Sequence, residues 1–301
     1  MSVKRNNVPF ITFYSYKGGS GRTVCAANTL ATIAREVDAN PDNPLLVMDM
    51  DIDSAGLSKW LLGDSLDDDA DVTVNKLFDG SLRLGANRDQ EILLKGLRDI
   101  TDIVSPDLSE RSIKLLPGTL QGRSEVIAPE GAESLKKWFG LPPFNFSAVV
   151  LDSASGRQEI ARWCQTKADV LVYCSRLSEQ HLQGTRYDIR RVQDNLTRKK
   201  ISSEPSILIV PTAVPQESDT RNDLTDMRHN RLKELSRLGG GENHSFFKGG
   251  IPEVERFKFG EAVLEAESFN KQGSHDEKEA LSAYQALSEL IISRLKLKGC
   301  I

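Results

Sequence analysis

The chain has 301 residues, of which 39% are hydrophobic and 27% charged, and a formal net charge of -4. That balance describes an ordinary folded globule and excludes disordered, collagenous and membrane-spanning classes without naming a partner. No run approaches the ~18 consecutive apolar residues of a membrane span. Met1-Ser2-Val3-Lys4-Arg5 leads into polar residues instead of a signal-peptide core, so a cytoplasmic location is expected.

Cys25, Cys164, Cys174 and Cys300 are scattered without CxxC spacing, which predicts reduced thiols and neither a disulfide framework nor a zinc site. Cys300 is next to last and lacks the position of a prenylation signal.

Short apolar runs rich in β-branched residues predict buried parallel strands over 9–15, 45–50, 113–116, 148–151, 170–174 and 207–210. Helical patterns fill the gaps over 23–37, 133–139, 158–167, 178–198 and 276–298. Strands alternating with helices predict an α/β fold, a doubly wound, mostly parallel sheet with helices on both faces and right-handed crossovers. One domain over 1–301 is expected, with surface elaborations near 63–110 and 215–245. The acidic stretch 63–71 reads as a solvated loop, with a cation-binding loop as the alternative. The second elaboration comprises a polar stretch over 215–222, a basic helical segment over 228–237 and glycines at 239–241.

Residues 10–15 run as a strand into a glycine-rich stretch, and 23–31 read as a helix with small residues on one face. Strand, glycine loop and helix in that order separate a phosphate loop from a chance glycine cluster. Gly18, Gly19 and Gly21 let successive N–H groups turn inward, and the positive end of the following helix adds its dipole. Lys17, Gly18, Gly19, Ser20, Gly21, Arg22, Thr23 and Val24 are therefore candidate nucleotide-binding residues, and the Thr23 hydroxyl is a candidate Mg²⁺ ligand. The loop departs twice from GxxxxGK(S/T): Tyr16 takes the first glycine position and Arg22 the lysine position. Arginine keeps the charge but differs in size and shape, so nucleotide binding should tolerate it better than the geometry of hydrolysis does.

Lys17-Gly18-Gly19-Ser20-Gly21-Arg22-Thr23 resembles the deviant Walker A motif, KGGxGK(S/T), of the ParA and MinD ATPases. The resemblance implies a P-loop NTPase fold, ATP and Mg²⁺ as ligands, and an ATP-dependent homodimer in which Lys17 reaches the phosphates bound by the other subunit. Arg22 is similar to the KGGxGR subset of bacterial ParA-like proteins, some of which stand beside signalling or defence modules.

Four more segments fit that resemblance. Leu45 to Ser58 is a strand ending in acids, which puts carboxylates at the C-terminal edge of the sheet. It resembles the family's DxD segment, where Asp51 would orient the attacking water and Asp49 would lie near the magnesium shell. A calcium loop at Asp49, Asp51 and Asp53 fails because Ser54 holds the sixth position, where glycine is needed. Asp53 reads as a turn or capping residue. Phe146 to Gly156 resembles Walker B, with Asp152 holding a magnesium-bound water and Gly156 letting the backbone approach the γ-phosphate. Leu115-Leu116-Pro117-Gly118 resembles the intervening family strand, and Pro252 and Glu253 resemble the segment near the nucleotide base. The candidate catalytic set is Lys17, Arg22 and Asp51, and the candidate metal set Thr23, Asp49 and Asp152.

Basic residues cluster at Arg186, Arg190, Arg191, Arg198, Lys199 and Lys200, and again at Arg228, Arg231, Lys233 and Arg237. They read as solvated helix faces, with a non-specific DNA surface as the alternative. The apolar stripe of 287–298 reads as core packing; a MinD-like membrane tail is the rival reading. An iron–sulfur role is rejected for want of suitably placed cysteines. The resemblance thus implies an ATP-dependent switch with slow hydrolysis that positions or regulates a protein or DNA partner, in segregation or in defence and signalling. The alternative is a nucleotide-sensing regulatory subunit with little hydrolysis, and a third reading is a ligase or kinase on the same fold.

Overall fold

The computed structural model describes residues 8–66, 72–105, 107–108, 110–118, 134–198, 204–215, 222–239, 243–254 and 275–301. The strands are β1 (Phe10–Tyr14), β2 (Leu45–Met50), β3 (Arg98–Asp99), β4 (Ile113–Leu116), β5 (Ala148–Ser153), β6 (Val170–Arg176), β7 (Ser206–Thr212) and β8 (His244–Phe246). They form one 8-stranded sheet in the order β3-β4-β2-β5-β1-β6-β7-β8. Every pairing is parallel except that of β3 with β4. β3 and β8 lie outside the predicted set because they are short, and neither shows a buried apolar run. They come from the two segments expected to decorate the core, and they form the sheet's edges.

The helices are α1 (Arg22–Glu36), α2 (Gly56–Leu62), α3 (Val74–Phe78), α4 (Asn87–Gly96), α5 (Thr101–Val104), α6 (Leu135–Phe139), α7 (Glu159–Lys167), α8 (Glu179–Arg198), α9 (Asn222–Leu238) and α10 (His275–Leu297). Within the acidic stretch, Gly63–Ser65 forms a turn of 3₁₀ helix, and 67–71 lie outside the described residues. Strand side chains alternate between two cores. Phe10, Met48, Leu151 and Tyr173 point to the face covered by α3, α4, α6, α7, α8 and α9. Ile11, Val47, Val150 and Val172 point to the other, covered by α1, α2, α5 and α10.

α10 puts Leu287, Ile291, Ile292 and Leu295 into this second core, each 2% exposed or less. Burying such a side chain contributes about 1.5–3 kcal/mol. The C-terminal stripe is therefore committed to the core. Among the described residues no helix is long and apolar enough to cross a membrane.

Cys25, Cys164 and Cys174 are buried and Cys300 is half-buried. Burial pushes the Cys164 thiol up to about 12 and raises that of Cys300. Native protein at pH 8 is expected to yield at most one slowly reacting thiol, Cys300, to an aromatic disulfide reagent, and four after denaturation. A second fast-reacting thiol would contradict this packing.

Candidate functional site

Parallel pairing brings the C-terminal ends of the inner strands to one edge, where ligands of such sheets bind. Register then places the chemistry: Asp49 at the end of β2 lies opposite Asp152 at the end of β5, and Asp152 lies opposite Phe13 of β1. The loop after β1 therefore meets both acidic segments.

In that loop Gly19 and Gly21 have φ of 73° and 75°, in the left-handed region that favours glycine. A β-carbon at Gly21 would also come 3.4 Å from Thr212 Cβ, whose hydroxyl donates to the Ser20 carbonyl. Ser15 Oγ donates to the Lys17 carbonyl at 3.1 Å. Lys17, Gly18 and Gly19 are exposed, whereas Ser20 and Arg22 are buried. The start of α1 has no side-chain cap, which leaves its positive end to serve an anion.

Arg22 is the centre of the arrangement. Its Nε donates to Asp152 Oδ1 at 2.8 Å, and its Nη2 donates to Asp51 Oδ2 at 2.8 Å and to Thr23 Oγ1 at 3.3 Å. Burial disfavours its charge, but Asp152 and Asp51 outweigh that and hold the guanidinium above the ordinary arginine range. A lysine ammonium is a single point charge; the planar fork spans both carboxylates at once.

Asp152 is fully buried, and its Oδ2 has no hydrogen-bond partner among the described residues. Burial raises its proton affinity, with Arg22 opposing. A buried, unpartnered carboxylate oxygen is costly unless a cation or water meets it, so the donor set of Asp152 and Thr23 fits Mg²⁺.

Asp49 is placed differently. Its Oδ2 accepts from Ser58 N at 2.8 Å and Ser58 Oγ at 2.7 Å, and its Oδ1 accepts from Asp51 N at 3.2 Å. Ser58 Oγ in turn accepts from Gly118 N at 3.0 Å. Both carboxylate oxygens are thus spent on pinning the turn after β2 to the end of β4. Burial first and Asp152 second push Asp49 up to about 7. Asp53 is exposed and accepts from Gln158 at 2.6 Å, linking the acidic turn after β2 to the segment after β5.

Gly156 N donates to the Ser15 carbonyl at 3.2 Å, so the segment after β5 abuts the start of the glycine loop. Beside the loop, a cleft is lined by Gly21, Val24, Cys25, Thr212, Pro252 and Glu253. The structure thus brings Pro252 and Glu253 to the loop from more than 200 residues away in sequence. Thr212 and Ser58 are contributors that the sequence reading omits; each is an ordinary hydroxyl residue whose partner is remote in sequence.

The basic clusters do not form one open face. Arg191 turns inward to Asp188, Arg186 pairs with Glu234, and Arg231 donates to the Leu177 carbonyl at 2.7 Å. Lys199 and Lys200 lie outside the described residues.

Solved structures share this arrangement of elements. An ATP complex of McdA from Cyanothece is 14% identical, with a TM-score of 0.64 over 95% of this chain and 97% of that one. A ParA family ATPase from Chlorobium tepidum TLS is 18% identical, with a TM-score of 0.58 over 95% and 99%. The septum site-determining protein MinD from Pyrococcus horikoshii OT3, complexed with Mg-ADP, is 16% identical, with a TM-score of 0.58 over 94% and 95%. No protein-family model matches the chain, and neither does any curated protein. Likeness of this extent at such low identity establishes the architecture: the chain has the fold of the ParA/MinD-like P-loop ATPases.

Proposed function

We propose that the chain binds MgATP and works in the cytoplasm as an ATP-dependent dimerising switch that positions or regulates a partner. The observation that carries this reading is the convergence of Arg22, Asp51, Asp152 and Thr23 beneath a glycine loop, with one buried oxygen of Asp152 unpartnered. Neighbours of the same fold hold ATP and Mg-ADP. The N–H groups of residues 18–23 would cradle phosphates, and Val24, Pro252 and Glu253 would border the base. Thr23 and Asp152 would hold Mg²⁺, which when bound neutralises charge on the terminal phosphates. Asp51 would orient water, Asp49 would hold the turn that carries Asp51, and exposed Lys17 would act across the dimer.

A second reading, a nucleotide sensor with little hydrolysis, is favoured by one feature. The carboxylate assigned to water already accepts from Arg22. ATP binding, turnover and particle mass with and without ATP test both readings. Lys17→Ala is expected to bind ATP yet stay monomeric, and Asp51→Ala to bind ATP without turnover. Unchanged turnover in both variants would sink these roles. Arg22→Lys separates the readings: a large rise from negligible turnover marks a sensor, whereas a fall from substantial turnover marks Arg22 as a working part.

A further inference from the structure

Phosphate loops of this pattern open on glycine, and here that position is Tyr16, whose side chain needs a seat. It has one on α8. A β-carbon at Gly184 would overlap the Tyr16 ring at Cδ1 and Cε1. Glycine inside a helix costs about 0.5–1 kcal/mol relative to alanine, so a mid-helix glycine facing a ring is explained by packing.

The same helix grips the site at two further points. One turn beyond Gly184, buried Asp188 accepts from Tyr14 Oη at 2.8 Å, and that hydroxyl also lies 2.8 Å from the Gly156 carbonyl. Beside it, the Arg157 guanidinium stacks over the Tyr187 ring with 5.2 Å to the centroid. Residues 184, 187 and 188 of α8 thus hold the start of the glycine loop and the turn after Asp152 together.

We propose that Tyr16 is a positioning residue for nucleotide, its ring seated in the notch at Gly184 so that α8 fixes the opening turn of the phosphate loop. The proposal rests on the nucleotide-binding reading above. It makes α8 the element whose displacement loosens the loop.

The test is titration of the wild type and variants with a fluorescent ATP analogue and Mg²⁺, at a temperature where circular dichroism shows each protein folded. Gly184→Ala is expected to weaken binding about tenfold through the overlap with the ring. Tyr16→Phe keeps the ring and should bind within about twofold of wild type, whereas Tyr16→Gly should bind more weakly. In a Tyr16→Gly background, Gly184→Ala should have no further effect, because nothing is left to overlap. An equal loss from Gly184→Ala in both backgrounds, or no loss in either, overturns the proposal while the nucleotide reading stands. A wild-type protein that binds no analogue overturns both.

Discussion

Arg22→Ala is expected to lower the free energy of unfolding by about 3–5 kcal/mol, the range for removing one member of a buried ion pair. Asp152 has no exposed side-chain surface and one oxygen already lacks a partner, so losing Arg22 strips the other. Asp51 keeps 18% of its side chain exposed and recovers part of its hydration, which places the loss toward the lower end of that range. Arg22→Lys keeps the charge but not the fork, and should fall between wild type and alanine. Urea unfolding without nucleotide measures this. A loss below about 1 kcal/mol at unchanged m-value would show that the carboxylates do not depend on Arg22.

Asp188→Ala should cost a similar amount, about 3–5 kcal/mol, for a different reason. Asp188 is buried and accepts from Tyr14 at 2.8 Å, Tyr173 at 2.9 Å and Arg191 Nε at 2.8 Å. Alanine takes the acceptor from the buried Tyr173 phenol and from the partly exposed Arg191 guanidinium, while Tyr14 keeps the Gly156 carbonyl 2.8 Å away, and each orphaned buried donor is penalised. Asp188→Asn preserves shape but removes the charge opposite Arg191, so it should rescue only part of the loss. Neighbouring substitutions should not add: in the Asp188→Ala background, Tyr173→Phe should cost much less than in wild type. Additive losses would mean that the three side chains do not act as a network.

Much of the fold was legible because its central strands announce themselves. The runs at 45–50 and 113–116 coincide with β2 and β4, since a strand buried on both faces is apolar along its whole length. The helices α2 to α5 were not: they draw their stability from packing, which local periodicity does not display, whereas the equally short α6 and α7 fall within the predicted ranges 133–139 and 158–167. β3 was hidden for a related reason: Arg98 and Asp99 are exposed, and only their pairing with β4 makes them a strand.

The candidate site divides in the same way. The glycine loop is contiguous, so its chemistry shows in sequence, whereas the contact of Arg22 with Asp152 spans 130 residues. The engagement of Asp49 by Ser58 and of Tyr16 with Gly184 is equally invisible to spacing. Counting charges along α8 groups Arg191 with its neighbours, yet Asp188 three residues earlier draws it inward.

The position of β1 bears on how the chain is made. It lies between β5 and β6, with Phe10 paired to Val149 and Ile11 to Val170. At about 5–20 residues per second, synthesis leaves β1 without either neighbour for roughly 7–27 s. An apolar strand waiting that long without either neighbour is a template for wrong pairing on the ribosome. Nascent chains halted before residue 148 should therefore hold chaperones, and release them once β5 has emerged.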